Sequence, residues 1–428
     1  MAMVVRRLRL RRSRLFGAVL LSLALACGAC ADGGEDPEDR GDGEGQGTAA
    51  REGGDGRGVE GRDGGGGQVA EGQEVDSPPP DIPSTTGLPG ASYTVAFAAD
   101  GSGITLRADC DEKGCTQYVG ALAAGAPNWH RVKSPLPYLT EGRGMSAGVE
   151  TLGPGRALIT EESEQWSAPD RTWFTRDGGT TWKRGSSKPT GTTATVPKDA
   201  VLVGDCLELG PDGNDCLRNR LLVVLPDTGE HKVLDTGAIP LEGLLAPAGE
   251  VSPDALFVSG EDPRTGLTAL AVTADRGRTW RFSHLPEPAK PGWPPRVVGG
   301  GSGLYAVQTG ELPRHVEVKN GLVSVYRSTD AGRTWTRVWR HRPGIEPLSV
   351  LGDLVVADDN SLTLYGEDGS WRSTDQARTF HSTSTERGPA GAVERTPIGW
   401  LWSDSYGNGA SRISADGVRW HDFFVGEE

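Results

Sequence analysis

Four stretches of the chain align without gaps: Thr175-Arg-Asp177-Gly-Gly179-Thr-Thr-Trp182, Thr273-Ala-Asp275-Arg-Gly277-Arg-Thr-Trp280, Ser328-Thr-Asp330-Ala-Gly332-Arg-Thr-Trp335 and Ser373-Thr-Asp375-Gln-Ala377-Arg-Thr-Phe380. Their common form is [ST]-x-D-x-G-x-T-W, and a fifth copy, Ser414-Ala-Asp416-Gly417-Val-Arg-Trp420, is one residue shorter. The gap between Asp177 and Asp275 is about twice that between later copies, so a degenerate copy is expected between them, and Asp227-Thr-Gly229 stands there without its Trp. Another weak copy ends at Trp129. Units of about 48 residues then fill the chain from residue 91 to its end, which makes seven.

The chemistry of the motif is that of a tight turn. A Ser or Thr hydroxyl and an Asp carboxylate two residues later accept backbone N–H bonds, and Gly allows positive φ. The aromatic then opens a strand and packs inward. Each unit reads as four short strands; in the fourth these are residues 242–245, 254–259, 267–273 with apolar alternation, and 280–284. The expected fold is therefore all-β.

The repeat resembles that of the BNR or Asp-box proteins, over the whole of residues 91–428. The resemblance implies a single β-propeller, here of seven four-stranded blades, whose radial closure protects the strand edges. It also implies that Asp177, Trp182, Asp275, Trp280, Asp330, Trp335, Asp375, Phe380, Asp416 and Trp420 are architectural, on the face away from the ligand. The ligand face would be built by the opposite loops: 162–170 with Trp166, 262–266 with Arg264, 311–320 with Arg314, 404–408 with Tyr406, and the blade connection 290–296 with Trp293. These five side chains are the candidate ligand-binding residues.

Sialidases are the best-known enzymes with this repeat, and they need three Arg to hold a carboxylate, a Tyr nucleophile activated by a Glu, and an Asp acid/base. Their early Arg lies in an R-I-P motif, which this sequence lacks; the nearest counterpart is Arg107. Tyr406 is the weak candidate nucleophile, beside Tyr365 and Tyr305. Sialidase propellers have six blades, and a related xyloglucanase builds its cleft between two propellers where one is expected here. Seven-bladed relatives such as photosystem assembly factors and sortilin-type receptors bind proteins or peptides. The resemblance thus implies a binding or scaffolding module for a protein or glycan, with an exo-α-sialidase-like hydrolase as the alternative. Gly144-Met-Ser146-Ala-Gly148 matches the nucleophile-elbow pattern, but a strand rather than a helix is expected after it.

Before the repeat lie two segments of different composition. Residues 4–16 carry six Arg and no acid and lead into the apolar run 17–26, too short for a permanent span. Ala26-Cys27 follows, and the pattern resembles a bacterial lipoprotein signal over residues 1–26. That implies lipidation of Cys27, with Cys30 as the other possibility, and a place on the extracytoplasmic face of the membrane, with secretion left open. Residues 27–90 read as a disordered tether: from 31 to 92 there are 15 Asp or Glu against 4 Arg, and 18 Gly. Such a stretch cannot bury enough surface to offset its ordering entropy.

Composition excludes several classes. With 63 Gly and 29 Pro, about a fifth of the chain, helical bundles are ruled out. A net charge of −14 argues against nucleic acid as a partner. The four remaining cysteines suit an oxidising exterior, and the spacing pairs Cys110 with Cys115 and Cys206 with Cys216 as local hairpin disulfides. No metal and no cofactor is expected, since each turn offers one carboxylate where calcium takes six or more oxygens. A monomer is expected.

Overall fold

The computed structural model describes residues 78–140, 145–163, 169–210, 216–289, 293–301, 303–312, 318, 320–384, 391–404 and 409–426. The expected export segment, Cys27, Cys30 and the expected tether up to residue 77 lie outside these. Among the described residues there is no helix long and apolar enough to cross a membrane. The secondary structure is all strand, arranged as seven sheets in a ring, a β-propeller.

Six of the seven blades are four-stranded antiparallel meanders. Their innermost strands are Ala91–Phe97, Ala147–Thr151, Glu242–Glu250, Arg296–Gly300, Val355–Val356 and Gly391–Thr396, in blades 1, 2, 4, 5, 6 and 7. Leu139–Thr140 adds a short fifth strand to blade 1. Blade 3 departs from the meander. Its outermost strand, Thr192–Thr193, precedes the other three in sequence and pairs in parallel with His231–Leu234. Val201–Leu209 therefore takes the inner edge, and the turn at Asp227 lies between the second and third strands from that edge.

The core lies between blades rather than within them. Ile104, Leu106 and Val119 of blade 1 pack on Val149, Ile159 and Trp173 of blade 2. Leu221 and Val223 of blade 3 meet Leu256 and Val258 of blade 4. A larger cluster joins blades 5, 6 and 7 through Trp339, Trp371 and Trp400. A central strand is thus covered on both faces, and its sequence runs apolar instead of alternating. Thr268–Thr273 of blade 4 shows this: five of its six residues are buried, where alternation was expected. The four strands of that blade otherwise fall close to the expected segments, with Glu242–Glu250 running five residues further.

The repeat turns join third and fourth strands and share one geometry. Thr175 Oγ1 donates to Asp177 Oδ1 at 2.8 Å and accepts from the Gly179 N–H at 3.0 Å, while Asp177 accepts from the Thr181 N–H and hydroxyl at 2.8 and 2.6 Å. The turns at Asp275, Asp330 and Asp375 repeat this to within about 0.1 Å. In the shorter copy Arg419 replaces the Thr, with its Nε donating to Asp416 at 2.9 Å. In the four full-length copies backbone φ is positive at both residues after the Asp, which explains the Gly of the motif. A Cβ on Gly332 would lie 2.6 Å from the Phe257 ring; the sixth blade nevertheless carries Ala377 there at φ 65°.

These bonds hold the carboxyls of Asp275, Asp330, Asp375 and Asp416 at about 2. The Thr279 N–H is the main cause at Asp275 and the Thr334 hydroxyl at Asp330. At Asp375 and Asp416 burial acts most strongly and in the opposite direction, and the hydrogen bonds together outweigh it. A carboxyl depressed in the folded state stabilises the fold above its unfolded value, near 4, and loses that contribution as pH falls towards 2. The urea midpoint is accordingly expected to drop between pH 4 and pH 2, and to drop less in Asp330→Asn. Equal pH dependence in both proteins would remove the turns as its source.

The ring is closed by a strap. Residues 78–90, which composition assigns to the tether, lie between the last and first blades, with Ile82 and Leu88 buried against Phe97, Leu401, Phe423 and Val425. Thr85 pairs in parallel with Val425, its N–H donating to the Phe424 carbonyl at 2.7 Å. Trp129 Nε1 donates to the Pro83 carbonyl at 2.9 Å. Physically, two well-placed apolar residues and a row of main-chain bonds order a segment whose scarcity of apolar side chains would otherwise leave it free.

Candidate functional site

In the six meander blades, antiparallel order places the first hairpin on the same rim as the repeat turn; in blade 3, where the Asp227 turn joins the second and third strands, the first hairpin falls on the other rim. The contact of Gly178 N–H with the Gly155 carbonyl, at 2.9 Å, and of Asp358 N–H with the Asp416 carbonyl, at 2.8 Å, show the two sets of turns touching. The other rim carries the second hairpins and the blade connections, where the candidate ligand-binding residues fall. Trp166, Arg314 and Tyr406 lie outside the described residues. Arg264 is 82 % exposed, with Nε 3.6 Å from the buried Asp262 carboxylate. Trp293 is half-buried and ties its backbone N–H to the Thr309 carbonyl at 2.9 Å. Both are placed on this rim, and nothing among the described residues brings them together. Two hairpins of the rim are stapled by disulfides, Cys110–Cys115 and Cys206–Cys216, as the spacing implied.

Arg107, the sequence counterpart of an early carboxylate-gripping Arg, has another position. It is fully buried, and its guanidinium donates to the carbonyls of Pro89 at 2.9 Å, Val425 at 2.5 Å, Leu88 at 2.8 Å, and Gly90. Three of these acceptors belong to the strap and its exit and one to the end of the last blade. Tyr305 is fully buried. Tyr365 packs edge-on against Trp420 at 6.4 Å, and desolvation pushes its phenol up, away from nucleophilic character. Ser146 is followed directly by the strand Ala147–Thr151, as expected, so no helix supports a nucleophile elbow. Among the described residues no three His, Cys, Asp or Glu side chains gather to hold a metal.

The feature that sequence reasoning missed is in the central channel. The inner edges of blades 1, 2, 5, 6 and 7 border a solvent-open recess, about 670 Å³ with the open solvent counted, lined by Phe97, Glu150, Thr151, Arg296, Glu394, Arg395 and Thr396 among others. Phe97, Thr151 and Thr396 end their strands while Arg296 opens its own, so the lining takes in both ends of the inner strands. Asp353 holds its far wall: its buried carboxylate accepts from Arg296 at 2.5 Å and from the Arg395 backbone N–H at 3.1 Å, joining blades 5, 6 and 7. Arg395 stands opposite Trp400 in the strand pairing, and its guanidinium lies 4.9 Å from the centre of that ring. Desolvation draws its pKa down and Asp358 draws it back up; a guanidinium stays protonated throughout. Local sequence carries no mark of this site, because the blades that line it lie far apart in the chain and each supplies only a short piece.

No family model matches the chain, and no curated protein matches it. Solved structures similar to it include the β-propeller domain of the Trilobed protease from Pyrococcus furiosus, at 8 % identity, covering 78 % of this chain and 97 % of that one with a TM-score of 0.41. An ulvan lyase of polysaccharide lyase family 25 matches at 11 % identity, over 79 % of this chain and 95 % of that one, TM-score 0.43. A Hadza microbial sialidase matches at 12 % identity, over 78 % of this chain and 66 % of that one, TM-score 0.34. Likenesses at this level concern architecture and say nothing about activity.

Proposed function

We propose that the chain is a lipid-anchored extracytoplasmic propeller that serves as a binding or scaffolding module for a protein or glycan ligand, with Cys27, or else Cys30, carrying the lipid. The observation that supports this reading best is the position of Arg107. A sialidase needs that early Arg free to grip a carboxylate; here all of its described bonds go to main-chain carbonyls that close the ring. Of the other candidate tyrosines, Tyr305 is buried and Tyr365 is held in packing. The repeat turns spend their carboxylates on the N–H groups and side-chain donors of their own turns.

The reading is tested by incubating the purified full chain, in mild detergent, with a panel of fluorogenic glycosides led by a sialoside, beside Tyr406→Phe. No release above a heat-denatured control is expected from either protein. Hydrolysis by the native chain that disappears in Tyr406→Phe would overturn the binding reading in favour of a sialidase-like hydrolase.

A further inference from the structure

Four charged side chains line the channel cavity, and they differ in what they already hold. Arg296 is neutralised by Asp353, and Glu394 is engaged within the protein. Among the described residues, the Arg395 guanidinium has its stack on Trp400 but no hydrogen-bond acceptor, and the Glu150 carboxylate has no donor. The two threonines have already given their protons inward, Thr151 Oγ1 to the Phe97 carbonyl at 2.7 Å and Thr396 Oγ1 to the Gly399 carbonyl at 2.9 Å. The lining therefore offers one cation with several free N–H donors, and around it a set of acceptors: one carboxylate and two hydroxyl oxygens.

A ligand that satisfies this set carries one carboxylate and several O–H donors. Resting on the binding reading above, we infer that the channel seats a uronic acid, free or at the end of a glycan, with its carboxylate on the edge of Arg395 and its hydroxyls donating to Glu150, Thr151 and Thr396. Stacking on Trp400 holds the guanidinium plane and leaves its edge open for a two-point carboxylate contact. A dianion such as phosphate would bring two negative charges to a lining that already holds the carboxylates of Glu150 and Glu394, where a uronate brings one. A peptide carboxyl terminus brings the anion but only one N–H per residue, too few donors for the acceptors present.

The test is titration of the full chain in detergent with methyl β-D-glucuronide, its neutral counterpart methyl β-D-glucoside, and acetyl-trialanine, read by calorimetry. The glucuronide is expected to bind at least about tenfold more tightly than either of the others, the range of one charge-assisted hydrogen bond. Arg395→Gln is expected to weaken it about ten- to a hundredfold, Arg395→Lys less because the charge remains without the planar fork, and Glu150→Gln about threefold to tenfold. Melting curves should fall only slightly, by the loss of the Trp400 stack, since the Arg395 side chain has no hydrogen-bond partner among the described residues; were Arg395→Gln to unfold, Glu150→Gln carries the test alone. Three results would overturn the assignment: no glucuronide binding, affinity indifferent to both variants, or equal binding of acetyl-trialanine. A wall polysaccharide or peptide that binds wild type and Arg395→Gln equally would sink the channel seat while leaving the binding module intact, whereas turnover of the sialoside would remove the binding module itself.

Discussion

Arg107→Met is expected to destabilise the ring by about 3–5 kcal/mol, because it strips one buried guanidinium from four carbonyl acceptors at once. The substitution keeps most of the side-chain volume, so the loss reports the bonds and not a cavity. All four acceptors lie where the first and last blades meet, and those blades have no covalent connection of their own. A chain beginning at residue 91 removes Leu88, Pro89 and Gly90, three of these four acceptors, so its denaturation midpoint should fall at least as far. A chain beginning at residue 78 should recover the wild-type midpoint. If the shortened chain and Arg107→Met both unfold with the intact protein, closure of the ring does not depend on the strap.

The second large effect is expected at Trp335. Its ring is buried edge-on against Phe257 of the preceding blade at 6.3 Å, and its Nε1 donates to Ser283 Oγ at 2.7 Å; Ser283 in turn donates to the Gly332 carbonyl. A hydroxyl on the outer strand of blade 4 thus bridges the turn and the aromatic of blade 5. Trp335→Ala is expected to cost about 3–5 kcal/mol through lost burial and the cavity left behind. Trp335→Phe keeps most of the packing and should cost about 1–2 kcal/mol, mainly the hydrogen bond. Trp280 is the control, since its Nε1 has no partner among the described residues; Trp280→Phe should cost clearly less than Trp335→Phe when urea midpoints are compared. Equal losses at the two positions would show that the Ser283 bridge contributes nothing.

The parts of this architecture that could be read from sequence are those with local causes. A turn that needs Ser or Thr, Asp and Gly at fixed offsets imposes them on every copy, so Asp177, Asp275, Asp330, Asp375 and Asp416 counted the blades, and Asp227 marked the weak one. Cys110 and Cys206 found their partners because each pair lies across one hairpin. Where a position is set by distant chain, the sequence was silent. Nothing near Thr192 announces that it will lie outside His231–Leu234 in parallel, and nothing near Leu88 announces burial after sixty residues of tether-like composition. Arg107 stood out as the nearest counterpart of an early carboxylate-gripping Arg; its acceptors come from 18 residues upstream and 318 downstream. Arg395 and Glu150 were passed over for the same reason, since only ring closure brings their strands to one cavity.

The strap also decides how the molecule bears load. A pull on the chain ahead of residue 78 reaches the ring through the Thr85–Val425 pairing and the Arg107 hub before it reaches any blade. The ring is thus a belt with its buckle at the point where traction arrives. Under tension from that side, the joint between the seventh blade and the first, where Ile82 and Leu88 pack on Phe97, Leu401 and Phe423, is expected to be loaded before the other six.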